Sequence, residues 1–358
     1  MKYRVGIIGS GSICNAHTYG YNKLNMLCND ADIEKTVICS PHITQKRADD
    51  LGWKEIETDW QNVVSRPDVD VVDISAYDYL HYAIAKAALE NGKRVICEKP
   101  LADKYEDAAE LVSLAKRKDI NATVCTNYRY IHAIRCIKHL IDSGELGEIR
   151  HVYGSFTMNW AVNVHDGMNW RLDDRYSPGG VLADLGTHLI DMCTYFGLQF
   201  AEVCGMNEVY GKKRMSGDGL RTTTASELSV FGARFANGAL GNFEVSRVSG
   251  GGGGMIVDIH GTKGNIRWEK MNFNNLLVNV RSITGGEWRY KSIPAVDILP
   301  SDYGWEHKFT QPDSFTLLFK DFFLNNGKAP SLQDGANCCK IVDAILTSDK
   351  ERRYIDII

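Results

Sequence analysis

Val95-Ile96-Cys97-Glu98-Lys99-Pro100 is an apolar run, rich in β-branched residues, that stops at Glu-Lys-Pro. Such a run reads as a buried strand. Proline has no N–H for a central ladder, so the strand ends there and presents Lys99 at its carboxyl tip. In an open parallel sheet, ligands bind outside the carboxyl ends of the strands. A salt-bridged Glu-Lys pair closing a strand would look the same in isolation, so the rest of the chain has to decide.

Upstream, strand and helix alternate. Tyr3 to Gly9 reads as a strand and runs into Gly9-Ser10-Gly11-Ser12-Ile13-Cys14, with a helical pattern from Asn15. Gly9 permits a tight turn, and Gly11 lets backbone approach a pyrophosphate seated on the positive end of the following helix. A lone GxGxx is weak, but here it follows a strand and opens a helix, the context that nucleotide binding requires. Further strands are expected at 36–39, 69–75 and 122–126, with helices at 44–51, 60–65, 78–90 and 103–118. Alternation at this pitch predicts a doubly wound parallel sheet over residues 1–126. The second strand ends in Cys39-Ser40-Pro41-His42, where a strict NAD site would offer Asp or Glu to the ribose hydroxyls. Nothing there repels a 2′-phosphate. His42, Lys46 and Arg47 could attract one, or Lys46 and Arg47 could form a solvated helix face, so the expected cofactor is NAD or NADP.

Beyond residue 126 the texture changes. A helix at 131–142 leads to strands at 149–157, 226–231, 239–245, 255–260 and 276–280, and helices close the chain near 314–325 and 334–347. Asn237-Gly238 is a hairpin signal. Residues 127–358 are therefore expected to form an α+β domain with a mostly antiparallel sheet. The glycine-rich stretches 211–219 and 250–254 could each form a mobile flap over a substrate, but a solvated connector is the better account of both.

A second anchor lies at 177–191, where Ser-Pro-Gly-Gly opens a stretch with apolar residues at helical spacing. Asp184 and His188 stand at i and i+4, with Asp191 three residues further on. A carboxylate beside an imidazole holds its tautomer and raises its basicity, although a polar stripe facing water has the same spacing. His165 and Asp166 could join them as metal ligands, but no dense set such as HxxEH is present and no metal is expected. No GxSxG elbow supports a serine hydrolase. The preceding loop carries Trp160, His165, Trp170, Arg171 and Tyr176. Aromatic faces between hydrogen-bonding groups suit a polyhydroxylated ligand, and equally a packing plug or a subunit interface.

Composition sets the outer bounds. With 358 residues, two domains are the natural expectation. A 44% hydrophobic, 24% charged chain with net charge −4 is globular and argues against a nucleic-acid partner. No apolar run approaches the ~18 residues of a membrane span. The first strand starts too early to leave room for a signal peptide before it. Ten scattered cysteines without CxxC, mostly in apolar runs, read as reduced thiols of a cytoplasmic protein.

Taken in order, these stretches resemble the glucose–fructose oxidoreductase/inositol dehydrogenase (Gfo/Idh/MocA) family over almost the whole chain. The resemblance rests on Gly9 to Ile13, Asp78 to His81, Glu98-Lys99-Pro100, Asn127 to Arg129, Leu140 to Gly147, Trp170-Arg171 and Gly179 to Asp191. It implies a Rossmann domain followed by a domain with an open sheet often used for oligomerisation, as a homodimer or homotetramer. The implied chemistry is reversible hydride transfer between nicotinamide and a secondary alcohol of a sugar, cyclitol or glycoside. Lys99, Asp184 and His188 match the family's catalytic positions. Cofactor contacts are implied for Gly9, Gly11, Ser12, Ile13, Ser40, Ser75, Ala76, Tyr77, His81, Glu98, Lys99, Asn127 and Arg171. Substrate contacts are implied for Lys99, Tyr128, Trp170, Arg171, Asp184 and His188. Two departures stand out: Ala76-Tyr77 where the family often has Thr-Pro, and Ser40 where NAD-preferring members carry Asp. The family also contains glycosidases that retain nicotinamide and cleave by transient oxidation and elimination, and a non-catalytic, ligand-sensing relative is a third class. The sequence leaves open whether His188 or Lys99 is the base.

Overall fold

The computed structural model describes residues 2–217, 219–251, 253–286, 289–298, 313–325 and 327–357. They fall into two compact units.

The first unit runs in sequence β1 (Lys2–Ile8), α1 (Ser12–Leu27), β2 (Asp32–Cys39), α2 (Gln45–Leu51), β3 (Glu55–Glu57), α3 (Trp60–Ser65), β4 (Val71–Ile74), α4 (His81–Glu90), β5 (Arg94–Cys97), α5 (Tyr105–Lys118) and β6 (Ala122–Val124). All six strands are parallel, in the order β3-β2-β1-β4-β5-β6. Crossover helices cover both faces of such a sheet, which is why its central strands are continuous apolar runs. β4 is buried at every residue. Local chemistry sets the helix ends: Thr44 caps α2 by accepting from Arg47 N–H at 3.3 Å, and Asp59 caps α3 by accepting from Gln61 N–H at 3.0 Å.

The second unit begins with α6 (His132–Asp142), β7 (Ile149–Thr157), α7 (Thr187–Tyr195), β8 (Phe200–Glu208), β9 (Lys213–Ser216), β10 (Gly219–Thr222), β11 (Leu228–Phe235), β12 (Leu240–Ser246) and β13 (Gly254–Gly261). It continues with β14 (Gly264–Glu269), β15 (Asn275–Val280), α8 (Arg281–Thr284) and β16 (Lys291–Pro294). Helices α9 (Asp313–Leu324) and α10 (Leu332–Glu351) and strand β17 (Ile355–Asp356) end the chain. Nine strands form one open sheet, β16-β15-β14-β13-β7-β12-β11-β8-β17. Only β7 and β12 pair in parallel; the other pairs are antiparallel. Asn237 and Gly238 do turn the β11–β12 hairpin.

Two expectations differ from what is seen. Residues 127–358 were expected in one domain, yet α9 and the start of α10, through Cys339, pack into the first unit. Phe315, Leu318, Phe319 and Phe322 join Val5, Ile7, Tyr21 and Leu24 in one core, with the Tyr21 and Phe319 rings stacked 4.4 Å apart. A helix that is apolar nearly all round must be buried, but periodicity alone does not say against what. The stretch 211–219 is also more than a solvated connector, because β9 and β10 pair as a ribbon. Arg214 of β9 is buried against Glu227, which is itself fully buried. The Arg214 guanidinium donates to the carbonyls of Ala161 (2.6 Å) and Asn163 (3.1 Å). Glu227 Oε2 accepts from Tyr210 N–H at 2.8 Å and Gly211 N–H at 2.6 Å. This knot moors the aromatic loop after β7. Asp218 and Gly252, within the two glycine-rich stretches, lie outside the described residues.

All ten cysteines are free thiols. Among the described residues no helix is long and apolar enough to cross a membrane.

Candidate functional site

In the first unit the site is built where strand order reverses, between β1 and β4. Gly9 has φ +121°, and a Cβ there would lie 2.3 Å from the Ser75 carbonyl oxygen. The tips of β1 and β4 therefore meet too closely for any side chain. A Cβ on Gly11 would meet nothing within 4 Å, and no side chain caps α1. Helix α1 thus offers uncapped N–H groups beside open space at Gly11, Ser12 and Ile13, which fits a dinucleotide pyrophosphate. Cys14 is fully buried and takes the place of the motif's third small residue.

At the tip of β2, Ser40 N–H bonds the Glu57 carbonyl at 3.1 Å. Arg47 reaches back to the glycine loop, bonding Asn15 Oδ1 and, at 3.5 Å, the Ser10 carbonyl. Lys46 instead pairs with Asp50 at 3.0 Å on an exposed helix face. Of the two basic residues, only Arg47 is directed to the glycine loop.

His81 is fully buried, with Nδ1 2.7 Å from the Pro100 carbonyl and Nε2 3.2 Å from the Ala76 carbonyl. It ties the segments after β4 and β5 together. Tyr77, half-exposed, stacks on Tyr79 at 5.7 Å. Glu98 is buried, its N–H bonding Ile74 O at 2.9 Å and its Oε2 accepting Lys99 N–H at 3.2 Å. Lys99 itself is half-buried and precedes a cis peptide bond to Pro100. Asn127 donates to Ser314 Oγ at 2.9 Å, and Tyr128 beside it is buried.

In the second unit, Asp184 and His188 are half-buried positions in a helix whose other residues from Val181 to Ile190 are buried. The helix opens as a π-helical turn, Leu182–Gly186, in which Thr187 N–H reaches back to Leu182 O. The expectation of a regular α-helix here is corrected: the turn is widened where Asp184 emerges, and His188 follows in the first turn of the regular helix α7. Such a distortion is frequent at functional sites. Asp191, expected on the same face, is 1% exposed and belongs to the interior.

A cleft of about 290 Å³ is lined by Met158, Trp160, Asn169, Arg171 and Asp184. Arg171 lies with Nε 3.6 Å from Asp184 Oδ2 and its guanidinium over the Trp170 ring at 4.2 Å. Arg247, fully buried, stands 3.3 Å from the same carboxylate oxygen. It also donates to the carbonyls of Arg171 (2.6 Å) and Gly180 (2.9 Å) and lies 5.4 Å from the Trp160 ring centroid. One guanidinium thus organises Asp184, the glycine turn and the aromatic loop. Sequence reading missed it. The available signal was strand parity, since Phe243 and Val245 point inward and Arg247 continues the series. His165 and Asp166 are exposed. Among the described residues, the group of potential metal donors that converges is His17, Glu98 and Cys125, which includes none of the residues weighed for that role.

Residues 3–126 match the family model described as "Oxidoreductase family, NAD-binding Rossmann fold", and residues 134–267 match the "GFO/IDH/MocA C-terminal domain". The first unit is thus an NAD-binding Rossmann domain. Levoglucosan dehydrogenase of Pseudarthrobacter phenanthrenivorans is 30% identical over 386 residues, covering 99% of this chain and 97% of the relative. Among solved structures, an oxidoreductase domain protein from Kribbella flavida superposes with TM-score 0.93 at 28% identity, over 100% of both chains. A levoglucosan dehydrogenase complexed with NADH and levoglucosan superposes with TM-score 0.91 at 28% identity, also over 100% of both.

Proposed function

The chain belongs to the GFO/IDH/MocA oxidoreductase family, and on that premise we propose that it is a dehydrogenase of a sugar, cyclitol or glycoside, oxidising a secondary alcohol reversibly. The observation that carries this reading is the pair Asp184 and His188, the two polar positions emerging from a buried helix, with Asp184 lining a cleft that also holds Trp160 and Arg171. Bound nicotinamide supplies the hydride acceptor or donor. Everything else falls to the chain. His188 takes the hydroxyl proton, Lys99 stabilises developing alkoxide charge, and Asp184 orients the ring or holds a substrate hydroxyl. Trp160, Trp170 and Arg171 receive the apolar faces and hydroxyls of the ring. No feature of the site favours the glycosidase alternative.

The test is a panel of sugars, anhydrosugars and cyclitols incubated with NAD or NADP, following reduced-nicotinamide absorbance. No reduction with any member would overturn the proposal. Trp170→Ala and Arg171→Ala are each expected to raise KM roughly tenfold with a smaller effect on kcat, the loss of about one good contact. Unchanged KM in both would return the loop to a structural role. Cofactor choice rests on Ser40. Ser40→Asp is expected to lower the NADP-to-NAD ratio of kcat/KM by about tenfold or more, because a carboxylate there accepts ribose hydroxyls and repels a 2′-phosphate. An unmoved ratio would show the adenosine pocket to lie elsewhere.

Ten free thiols suit a reducing compartment, and we assign the protein to the cytoplasm. We assign the open face of the nine-stranded sheet, where Tyr153, Met206 and Val230 line a shallow groove, to self-association. Light scattering of the purified protein would test that.

A further inference from the structure

We propose that His17 is a positioning residue for Lys99, acting through Glu98 from beneath the strand tips. The inference rests on the role given to Lys99 above. His17 lies on α1 and is fully buried. Its Nδ1 is 2.9 Å from both carboxylate oxygens of Asp73 on β4, and its Nε2 is 3.1 Å from Glu98 Oε1. A neutral imidazole has one N–H, so one of these contacts would set a lone pair against a carboxylate. With both carboxyl groups ionised, only the doubly protonated ring satisfies both. The other Glu98 oxygen, Oε2, accepts Lys99 N–H at 3.2 Å. The chain Asp73–His17–Glu98–Lys99 N–H therefore runs from the sheet interior to the strand tip. Rings of Phe315 and Phe319 close over His17 at 4.7 and 5.1 Å.

The groups facing His17 are few. Asp73 and Glu98 are its partners, Tyr21 donates to Asp73 Oδ2 at 2.5 Å, and Cys125 and Cys14 flank the cluster. Burial pushes the Cys14 thiol up to about 12 and the Cys125 thiol and Tyr21 phenol well above their ordinary values. All three are neutral near pH 7. Burial opposes charge on the ring, but attraction to Asp73 and hydrogen bonds to Asp73 and Glu98 outweigh it and raise His17 to about 10. A pKa raised on folding contributes stability in full below the unfolded value of about 6.5 and loses it as pH rises through the folded value. The network should therefore hold through neutral pH and loosen only towards about pH 10.

Two substitutions and one spectrum test this. His17→Gln keeps hydrogen-bonding atoms without charge. It is expected to speed hydrogen–deuterium exchange of the Lys99 amide about tenfold or more, read on a peptide spanning Glu98 to Leu101, with α2 unchanged. NADH affinity should stay within about threefold, while kcat for an accepted alcohol falls about tenfold with little change in KM, as misplacement predicts. Glu98→Gln should likewise speed Lys99 exchange and lower kcat, and the double variant should be no worse than either in these two readouts, since both act through one chain. The exchange readout needs no substrate, so its outcome stands apart from whether any alcohol is oxidised. A folded His17→Gln with unchanged Lys99 exchange and kcat would reduce His17 to core packing and overturn the proposal, as would additive effects in the double variant. Should the variants not fold, ¹⁵N-imidazole spectra of wild type decide: a doubly protonated ring at about pH 8 supports the proposal, and a neutral one overturns it. Stoichiometric metal bound at His17, Glu98 and Cys125 in the purified protein would overturn it too.

Discussion

Lys99→Ala and His188→Ala are each expected to lower kcat by about 10²-fold or more while NADH affinity changes little, the loss typical of acid–base or charge-stabilising groups. Hydride leaves a carbinol carbon readily only as its hydroxyl proton departs, so a base must reach that oxygen. An imidazole with an unperturbed pKa of about 6.5 is suited to the task near neutral pH. The helix delivers His188 as one of two half-buried positions in a buried stretch. Lys99, at the tip of a buried strand, is placed on the edge where ligands of such sheets bind. In wild type the oxidation rate should fall at low pH as the base becomes protonated, and that limb should vanish or move in His188→Ala. If it stays unmoved there but shifts in Lys99→Arg, lysine is the base and the two roles exchange.

Arg214→Ala is expected to destabilise the second unit by about 3–5 kcal/mol, the cost of leaving a buried charge without its partner. Glu227, fully buried, would lose its ion pair, and the carbonyls of Ala161 and Asn163 would lose their donor. Calorimetry should show that unit's transition falling by roughly 10 °C. Replacing both residues by methionine should cost much less, because no charge is then stranded. If Arg214→Ala unfolds at the wild-type temperature, the knot does not hold the loop.

How much of this was legible beforehand depends on the distance over which each feature is determined. The parallel sheet was legible because each strand–helix repeat carries its own pattern, and Gly9 and Pro100 mark strand ends by backbone chemistry alone. The Asn237-Gly238 hairpin was legible for the same reason. Asp184 and His188 could be singled out because their spacing is local, although the π-helical turn that carries Asp184 could not. What only the tertiary structure decided involves partners far apart in sequence. Arg247 meets Asp184, Arg214 meets Glu227 behind the aromatic loop, and His17 joins one carboxylate on β4 to another just past the end of β5. Arg247, Arg214 and His17 are each buried, and a buried charge is tolerable only beside a countercharge that the fold brings to it. A lone Arg or His in a helix or strand pattern carries no mark of that partner. The apolar helix α9 had to be buried on its own chemistry, but only packing selected the first unit's core over the second's.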